Sequence, residues 1–146
     1  MPKSDQGVDK SRYQIIPRTL VFVTRGNEVL LLKGSKTKKI WADRYNGIGG
    51  HIEKGEDAAS SARRELLEEA GLIVEDLRLC GTLLVDASPD VGIGIFIFRA
   101  GYSGGNLIES AEGRLEWISV QDLPGLPLVE DLPVLLPRVL SGSSRN

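Results

Sequence analysis

Apolar and polar positions alternate along this chain in two distinct rhythms. Residues 19–24, Thr-Leu-Val-Phe-Val-Thr, are a compact run of β-formers and predict a buried strand. Residues 25–28 read as a turn and 29–32 as the returning strand. Residues 46–49 form a short extended piece that leads into the tight Gly49-Gly50 turn. From Asp57 to Ala70 the rhythm changes. Ala58, Ala62 and Leu66 recur one turn apart, with Leu67 and Ala70 flanking them, which predicts a helix with one face on a core. Asp57 suits the start of that helix and Gly71 its end. Residues 77–86 and 93–99 read as two long strands, joined at 87–90. Residues 101–113 read as a loop, and 114–119 alternate as a further strand. Residues 132–140 are a helix candidate, with Pro133 near its start and Pro137 as an internal obstacle. Periodicity by itself sets the class at α plus β, and the order of elements suggests a mixed sheet between helices. No repeat or linker divides the chain. A single domain over residues 13–141 is expected, with a flexible polar tail at 1–12 and another at 142–146.

Composition narrows the function classes. A chain of 146 residues can bury a real core, and 41% hydrophobic with 26% charged residues is ordinary for a soluble protein. A net charge of −2 argues against bulk binding to nucleic acid or to an anionic membrane, while leaving room for a local basic patch. No apolar run approaches the ~20 residues of a membrane-spanning helix, and residues 1–12 lack the apolar stretch of a signal peptide. The lone cysteine, Cys80, cannot form an internal disulfide. Its neighbours Leu77, Leu79 and Leu83 make it an expected core residue. These features suit a cytoplasmic protein. The apolar segment at 126–140 serves a core or a dimer interface equally well, so both monomer and homodimer are open.

The chemistry concentrates in residues 50–72. Glu65, Glu68 and Glu69 are three and four apart on the predicted helix and so share one arc of its surface. Like charges that close weaken a helix, and a cation among them removes the penalty. Mg²⁺ and its relatives take oxygen ligands, commonly a few carboxylates together with substrate phosphates. A Glu-rich helix is ordinarily a solvated face, but the surroundings carry more. Gly50, Glu56, Arg64, Glu65, Leu66, Glu68, Glu69, Gly71 and Leu72 fill every fixed position of the Nudix signature: Gly, five residues, Glu, seven residues, Arg-Glu, aliphatic, any, Glu-Glu, any, Gly, aliphatic. The chain resembles a Nudix hydrolase. That resemblance implies an α/β/α sandwich with a mixed β-sheet between helices, and metal-assisted hydrolysis of a nucleoside diphosphate linked to another group.

The resemblance also implies roles. Glu65, Glu68 and Glu69 would hold a divalent cation, Mg²⁺ or Mn²⁺, with the backbone carbonyl of Gly49 as a further ligand. Arg64 would orient a carboxylate through a charge-assisted bond, with an exposed pair to Glu68 as the plainer alternative. Glu56, Gly50 and Gly71 would support the motif. The general base is Glu68 or Glu69, or an acid on a distant loop. Glu112 resembles the loop acid of MutT-like members, with Glu109 and Glu116 as its neighbours. His51, the one histidine, reads as a loop residue. With a single histidine a Ser-His-Asp set is implausible, and no Walker-type phosphate loop occurs.

The run from Trp41 to Gly50, Trp-Ala-Asp-Arg-Tyr-Asn-Gly-Ile-Gly-Gly, resembles the entry loop of the MutT-type nucleotide-sanitising branch. Asn46 is then the base-reading candidate, since an amide both donates to and accepts from a purine edge. A strand-end residue bonding backbone is its equal alternative. Trp41 or Tyr45 could stack on a base. Lys33, Lys36, Lys38 and Lys39 could attract a triphosphate. The implied activity is a (d)NTP pyrophosphohydrolase that releases a nucleoside monophosphate and pyrophosphate, with 8-oxo-dGTP as a candidate substrate. ADP-ribose and dinucleoside polyphosphates are the competing substrates. A non-catalytic nucleotide-binding module is the reading from another class.

Overall fold

The computed structural model describes residues 2–35, 42–108 and 113–142. Its strands are β1 (Gln14–Arg25), β2 (Glu28–Gly34), β3 (Tyr45–Asn46), β4 (Ile48–His51), β5 (Leu72–Asp86), β6 (Val91–Gly105) and β7 (Gly113–Ser119). Its principal helices are α1 (Ala58–Glu65), continued by a π-type turn over Leu66–Ala70, and α2 (Leu132–Gly142). One mixed sheet carries the strands in the order β3-β2-β1-β6-β5, with β4 on β1 and β7 on β2.

β1 organises the molecule. One edge runs parallel to β6 from Gln14 opposite Val91 to Thr24 opposite Gly101. The other edge is shared. Arg18 to Val21 pair with β4, whereas Thr24 and Arg25 pair with β2 across the turn at Gly26, whose φ is 58°. β2 then leaves β1 and pairs with β7 and β3. The sheet forks where β2 and β4 part.

Successive β1 side chains point to opposite faces, and both faces are covered. Val21 and Val23 pack with Ala62, Leu66 and Ala70 on the α1 side. Phe22 packs with Leu132, Leu136 and Val139 on the α2 side. A strand buried on both faces reads as an unbroken apolar run, which is how residues 19–24 appear in the sequence. Two cores, one on each side of a mixed sheet, make the fold an α/β/α sandwich.

Several expectations are corrected. β1 starts at Gln14 and β6 extends to Gly105, into the predicted loop. β5 starts at Leu72, directly after the helix. Register shifts at Ile73/Val74, Glu75/Arg78 and Leu79/Gly81 break its two-residue period, which hid its first half in the sequence. The last of these shifts also explains Cys80. That residue is exposed, not in the core, and Leu79 beside it is 55% exposed, because β5 is the outermost strand and bulges at this point. Leu67 is likewise exposed on α1's outer side. Pro137 lies inside α2 without ending it. Burial of Leu132, Leu136 and Val139 outweighs the helix bond that proline forfeits. Arg99 of β6 donates to the carbonyls of Val139 and Leu140, satisfying part of the helix end. Among the described residues, no helix is long and apolar enough to cross a membrane.

Candidate active site

Asp57 sets the start of α1 by accepting the backbone N–H of Ser60 at 2.7 Å. Gly71 ends the π-type turn in the left-handed region, φ 71°, as a C-cap glycine does. Between these ends the helix presents Arg64, Glu65, Glu68 and Glu69. The sequence implied one α-helical arc for the acids. In the structure the helix is α-helical only to Glu65, and Glu68 and Glu69 ride on the wider π-type turn. Such turns recur at functional sites.

β4 lays the Gly49-Gly50 pair against β1, with Gly49 opposite Leu20 and Gly50 opposite Thr19. Side chains are excluded here by direct collision. A Cβ on Gly49 would stand 2.0 Å from the Thr19 carbonyl oxygen, and one on Gly50 would stand 2.6 Å from the Glu65 carboxyl group. Glu65 is 8% exposed, so its carboxylate rests on the bare backbone of Gly50.

A guanidinium has five N–H donors, and Arg64 uses all of them. Its Nε donates to Glu56 at 2.6 Å, and Nη2 donates to Glu56 at 3.0 Å and to the His51 carbonyl at 3.2 Å. Nη1 donates to Glu65 and to Glu68, each at 2.9 Å. The fork ties the turn before the helix, the end of β4 and two motif acids into one unit. The Arg64 guanidinium, with help from the Glu53 N–H, holds the Glu56 carboxyl at about 2, well below its ordinary 4.5. The carboxylates in turn push the Arg64 pKa up.

A pH dependence follows. A carboxyl whose pKa falls on folding adds stability that is complete above its unfolded value and is lost as the pH drops through the folded one. The difference in Tm between the wild type and Glu56→Gln should therefore be constant above about pH 5 and should shrink toward zero near pH 2. Thermal melts at a series of pH values test this. A difference that vanishes by pH 4 would detach Glu56 from Arg64.

Beside the helix, in the fork of the sheet, lies a cavity of about 260 Å³. Glu69, Gly49, Gly50 and Asn46 border it, and Leu20, Leu32, Ile48 and Ile95 give it apolar walls. Arg18, Thr19 and Arg44 also line it. Nothing in the sequence pattern marked these three, because their place depends on the β1–β4 register and on the fork. Asn46 is half-buried, and its Oδ1 accepts the Gly47 N–H at 2.8 Å. Asn46 thus borders the cavity and bonds the backbone as well.

Other expected residues lie elsewhere. Tyr45 is 6% exposed in the α2-side core, donates its hydroxyl to Glu116 at 3.1 Å, and does not line the cavity. The Lys33 ammonium sits 5.7 Å from the Tyr45 ring centroid, also off the cavity wall. Glu116 is on β7, tied to Tyr45 and Arg114. His51 ends β4, and its Nε2 accepts from the Arg18 Nε at 3.2 Å. Lys36, Lys38, Lys39, Trp41, Glu109 and Glu112 lie outside the described residues.

Among the described residues, no group of three carboxylate, imidazole or thiol side chains is placed to hold a metal ion. The donors at hand are all oxygens, and Glu68 reaches solvent. That chemistry fits a hard divalent ion that keeps positions for water and phosphate.

Comparison with known proteins agrees with the geometry. The family model described as the NUDIX domain matches residues 15–139. The oxidized purine nucleoside triphosphate hydrolase of Mus musculus is 36% identical over 124 residues, covering 84% of this chain and 78% of the relative. The NAD-capped RNA hydrolase NudC of Pseudomonas syringae pv. tomato is 30% identical over 116 residues, covering 78% of this chain and 40% of that longer protein. Among solved structures, the MutT protein of Bacillus halodurans superposes with a TM-score of 0.74 at 27% identity, covering 86% of this chain and 82% of that one.

Proposed function

The chain belongs to the NUDIX domain family and is a Nudix hydrolase, and from that premise we propose that it is a metal-dependent nucleoside triphosphate pyrophosphohydrolase with an oxidised purine nucleotide, such as 8-oxo-dGTP, as its substrate. One observation carries the reading. A single cavity is bordered both by the Asn46 amide and by the motif acid Glu69. An apolar slot with an amide, opening on carboxylates and guanidinium groups, suits a molecule made of a planar ring and a phosphate chain. The similarity to a hydrolase of oxidised purine triphosphates supports the same substrate class. Such a substrate belongs to the cytoplasmic nucleotide pool.

In this reading Glu65, Glu68, Glu69 and the Gly49 carbonyl hold Mg²⁺, or Mn²⁺ in its place. When bound, the metal neutralises phosphate oxygens and lowers the pKa of water. The chain's own residues do the rest. Arg64 fixes Glu65 and Glu68 and compensates their charge. Asn46 and the apolar walls seat the base. Water attacks phosphorus, the phosphoanhydride bond breaks, and a nucleoside monophosphate and pyrophosphate leave. The proton goes to a carboxylate, for which Glu69 borders the cavity directly and Glu112 is the loop candidate.

The test is product release across 8-oxo-dGTP, the dNTPs, ADP-ribose, NADH and diadenosine polyphosphates, with and without Mg²⁺. Pyrophosphate should appear in the presence of metal, and kcat/KM for 8-oxo-dGTP should exceed that for dGTP by roughly tenfold or more, the worth of about one good polar contact. The similarity to the NudC hydrolase favours a dinucleotide as the second reading. Preference for NADH or a dinucleoside polyphosphate would establish it in place of the triphosphate. Folded protein that binds nucleotides but turns none over would make the domain a binding module.

A further inference from the structure

Arg18 stands in the row of the cavity's apolar walls. Successive residues of a strand point to opposite faces. Val21 and Val23 pack on the α1 side of β1 and Phe22 on the α2 side, so Arg18 and Leu20 share the α2 side with Phe22. Arg18 is directly opposite Ile95 in the β1–β6 register, and Arg18, Leu20 and Ile95 all line the cavity. Thr19, between Arg18 and Leu20, turns to the α1 side, where its Oγ1 is buried.

The polar side chains beside those walls are donors. Arg18 is half-buried, and its Nε donates to His51 at 3.2 Å. Its Nη1 and Nη2 have no partner among the described residues. A guanidinium donates and never accepts. Asn46 is in a similar condition. Its Oδ1 is occupied by the Gly47 N–H at 2.8 Å, which leaves its NH₂ donors for a ligand. Arg44, the other guanidinium on the lining, is exposed. Among the described residues the carboxylate on the lining is Glu69, which the reading above gives to the metal. What remains for the ring is an apolar wall set with hydrogen-bond donors.

Such a lining sorts rings by what they present. A 6-oxopurine offers a carbonyl oxygen at C6, whereas adenine puts an amino donor there. Donor against donor leaves buried polar groups unpaired, and a site of that kind rejects the wrong ligand more strongly than an apolar pocket can. A phosphate oxygen would also accept from Arg18. The neighbours of Arg18 on its own face, however, are Leu20 and Ile95, which suit a ring and not a phosphate.

We propose that Arg18 selects the base: its guanidinium donates to the C6 carbonyl oxygen of a 6-oxopurine seated in the cavity, so that guanine-type nucleotides are accepted and 6-aminopurines are refused. The inference rests on the nucleotide reading above and adds which purine it takes.

The substrates 8-oxo-dGTP and 8-oxo-dATP carry the same oxidation and differ in the base, so the ratio of their kcat/KM values reads the base alone. The wild type should favour 8-oxo-dGTP by roughly 10–100-fold, the worth of one hydrogen bond to a charged group. Arg18→Met keeps an apolar stem and removes the donors. It should cut kcat/KM for 8-oxo-dGTP and bring the ratio close to parity. Arg18→Lys restores a donor and should recover part of the ratio. Shifts in Tm with dGMP and with dAMP read the same preference without turnover, and the ligand-free Tm shows that each variant is folded.

Equal kcat/KM for the two substrates in the wild type would overturn the selection and leave the triphosphate reading in place. An Arg18→Met variant that loses both substrates in equal proportion would also overturn it, since that is the mark of a phosphate contact. Preference for NADH, an adenine dinucleotide, would overturn both readings, as would folded wild type that neither hydrolyses nor is stabilised by any nucleotide. If no nucleotide is hydrolysed but dGMP raises Tm more than dAMP does, and only while Arg18 is present, the selection stands and the triphosphate assignment falls.

Discussion

Glu69→Gln should lower kcat by about 10³-fold, the scale on which a group that stabilises transition-state charge acts, and should leave the protein folded. The substitution keeps volume and removes charge. Glu69 is half-buried on the π-type turn and borders the cavity together with Gly49 and Gly50. If Glu69 is the oxygen ligand proposed for it, an amide of lower donor strength cannot replace it without loss of the ion or of its geometry. The fold has little to lose, because the apolar contacts of this helix come from Ala62, Leu66 and Ala70, all fully buried. The loss should therefore appear in kcat at saturating Mg²⁺ while circular dichroism and Tm stay close to wild type. Glu68→Gln should behave similarly, with some added loss from its broken bond to Arg64. Turnover within a few-fold of wild type for Glu69→Gln would remove that residue from the reaction.

The contrast between what pattern reveals and what it hides has a physical origin. α1 is legible because its three determinants are local: the Asp57 cap, the Ala58-Ala62-Leu66 stripe and the left-handed Gly71. Residues 19–24 are legible as buried because β1 is covered on both faces, so no polar residue interrupts the run. The motif acids could be grouped because residues three and four apart on a helix always share a face. What failed is non-local. Nothing near Arg18 or Thr19 in sequence shows that residues more than thirty positions later will lie opposite them; only the β1–β4 register does. Bulges in β5 shifted the alternation, which put Cys80 outside and hid the first residues of the strand. Tyr45 illustrates the limit of composition as evidence. An aromatic residue beside a candidate base-reading Asn could stack on a ligand, yet its ring is in the core on the α2 side, with its hydroxyl on Glu116. Adjacent residues in a strand face opposite ways, so the neighbour of a cavity residue is often a core residue.

Arg64→Lys should cost 10–100-fold in kcat/KM, about the range seen when a residue that orients metal ligands is altered, and the loss should fall mainly on the metal requirement. The change preserves charge, so a role limited to neutralising an acidic surface predicts almost no effect. Geometry predicts otherwise. Arg64 spends five donors in one plane on Glu56, Glu65, Glu68 and the His51 carbonyl. Lysine offers three donors from one point and cannot span these partners. Glu56 and Glu65 approach the guanidinium from different elements, one from the turn before α1 and one from the helix itself. A single ammonium that satisfies Glu56 leaves Glu65, which is 8% exposed and pressed on Gly50, as a poorly compensated buried charge. Glu65 then gains a reason to move, which disturbs an acid that the proposed metal site needs. Initial rates measured over a wide range of Mg²⁺ separate the two accounts. A rightward shift of the metal dependence, with kcat largely recovered at high Mg²⁺, is the signature of carboxylates that have lost their positioning. Unchanged rates at every Mg²⁺ concentration would reduce Arg64 to an ion pair on the helix surface. Adding Glu56→Gln to Arg64→Lys sharpens the distinction. If Glu56 acts through the guanidinium, the two losses will not add.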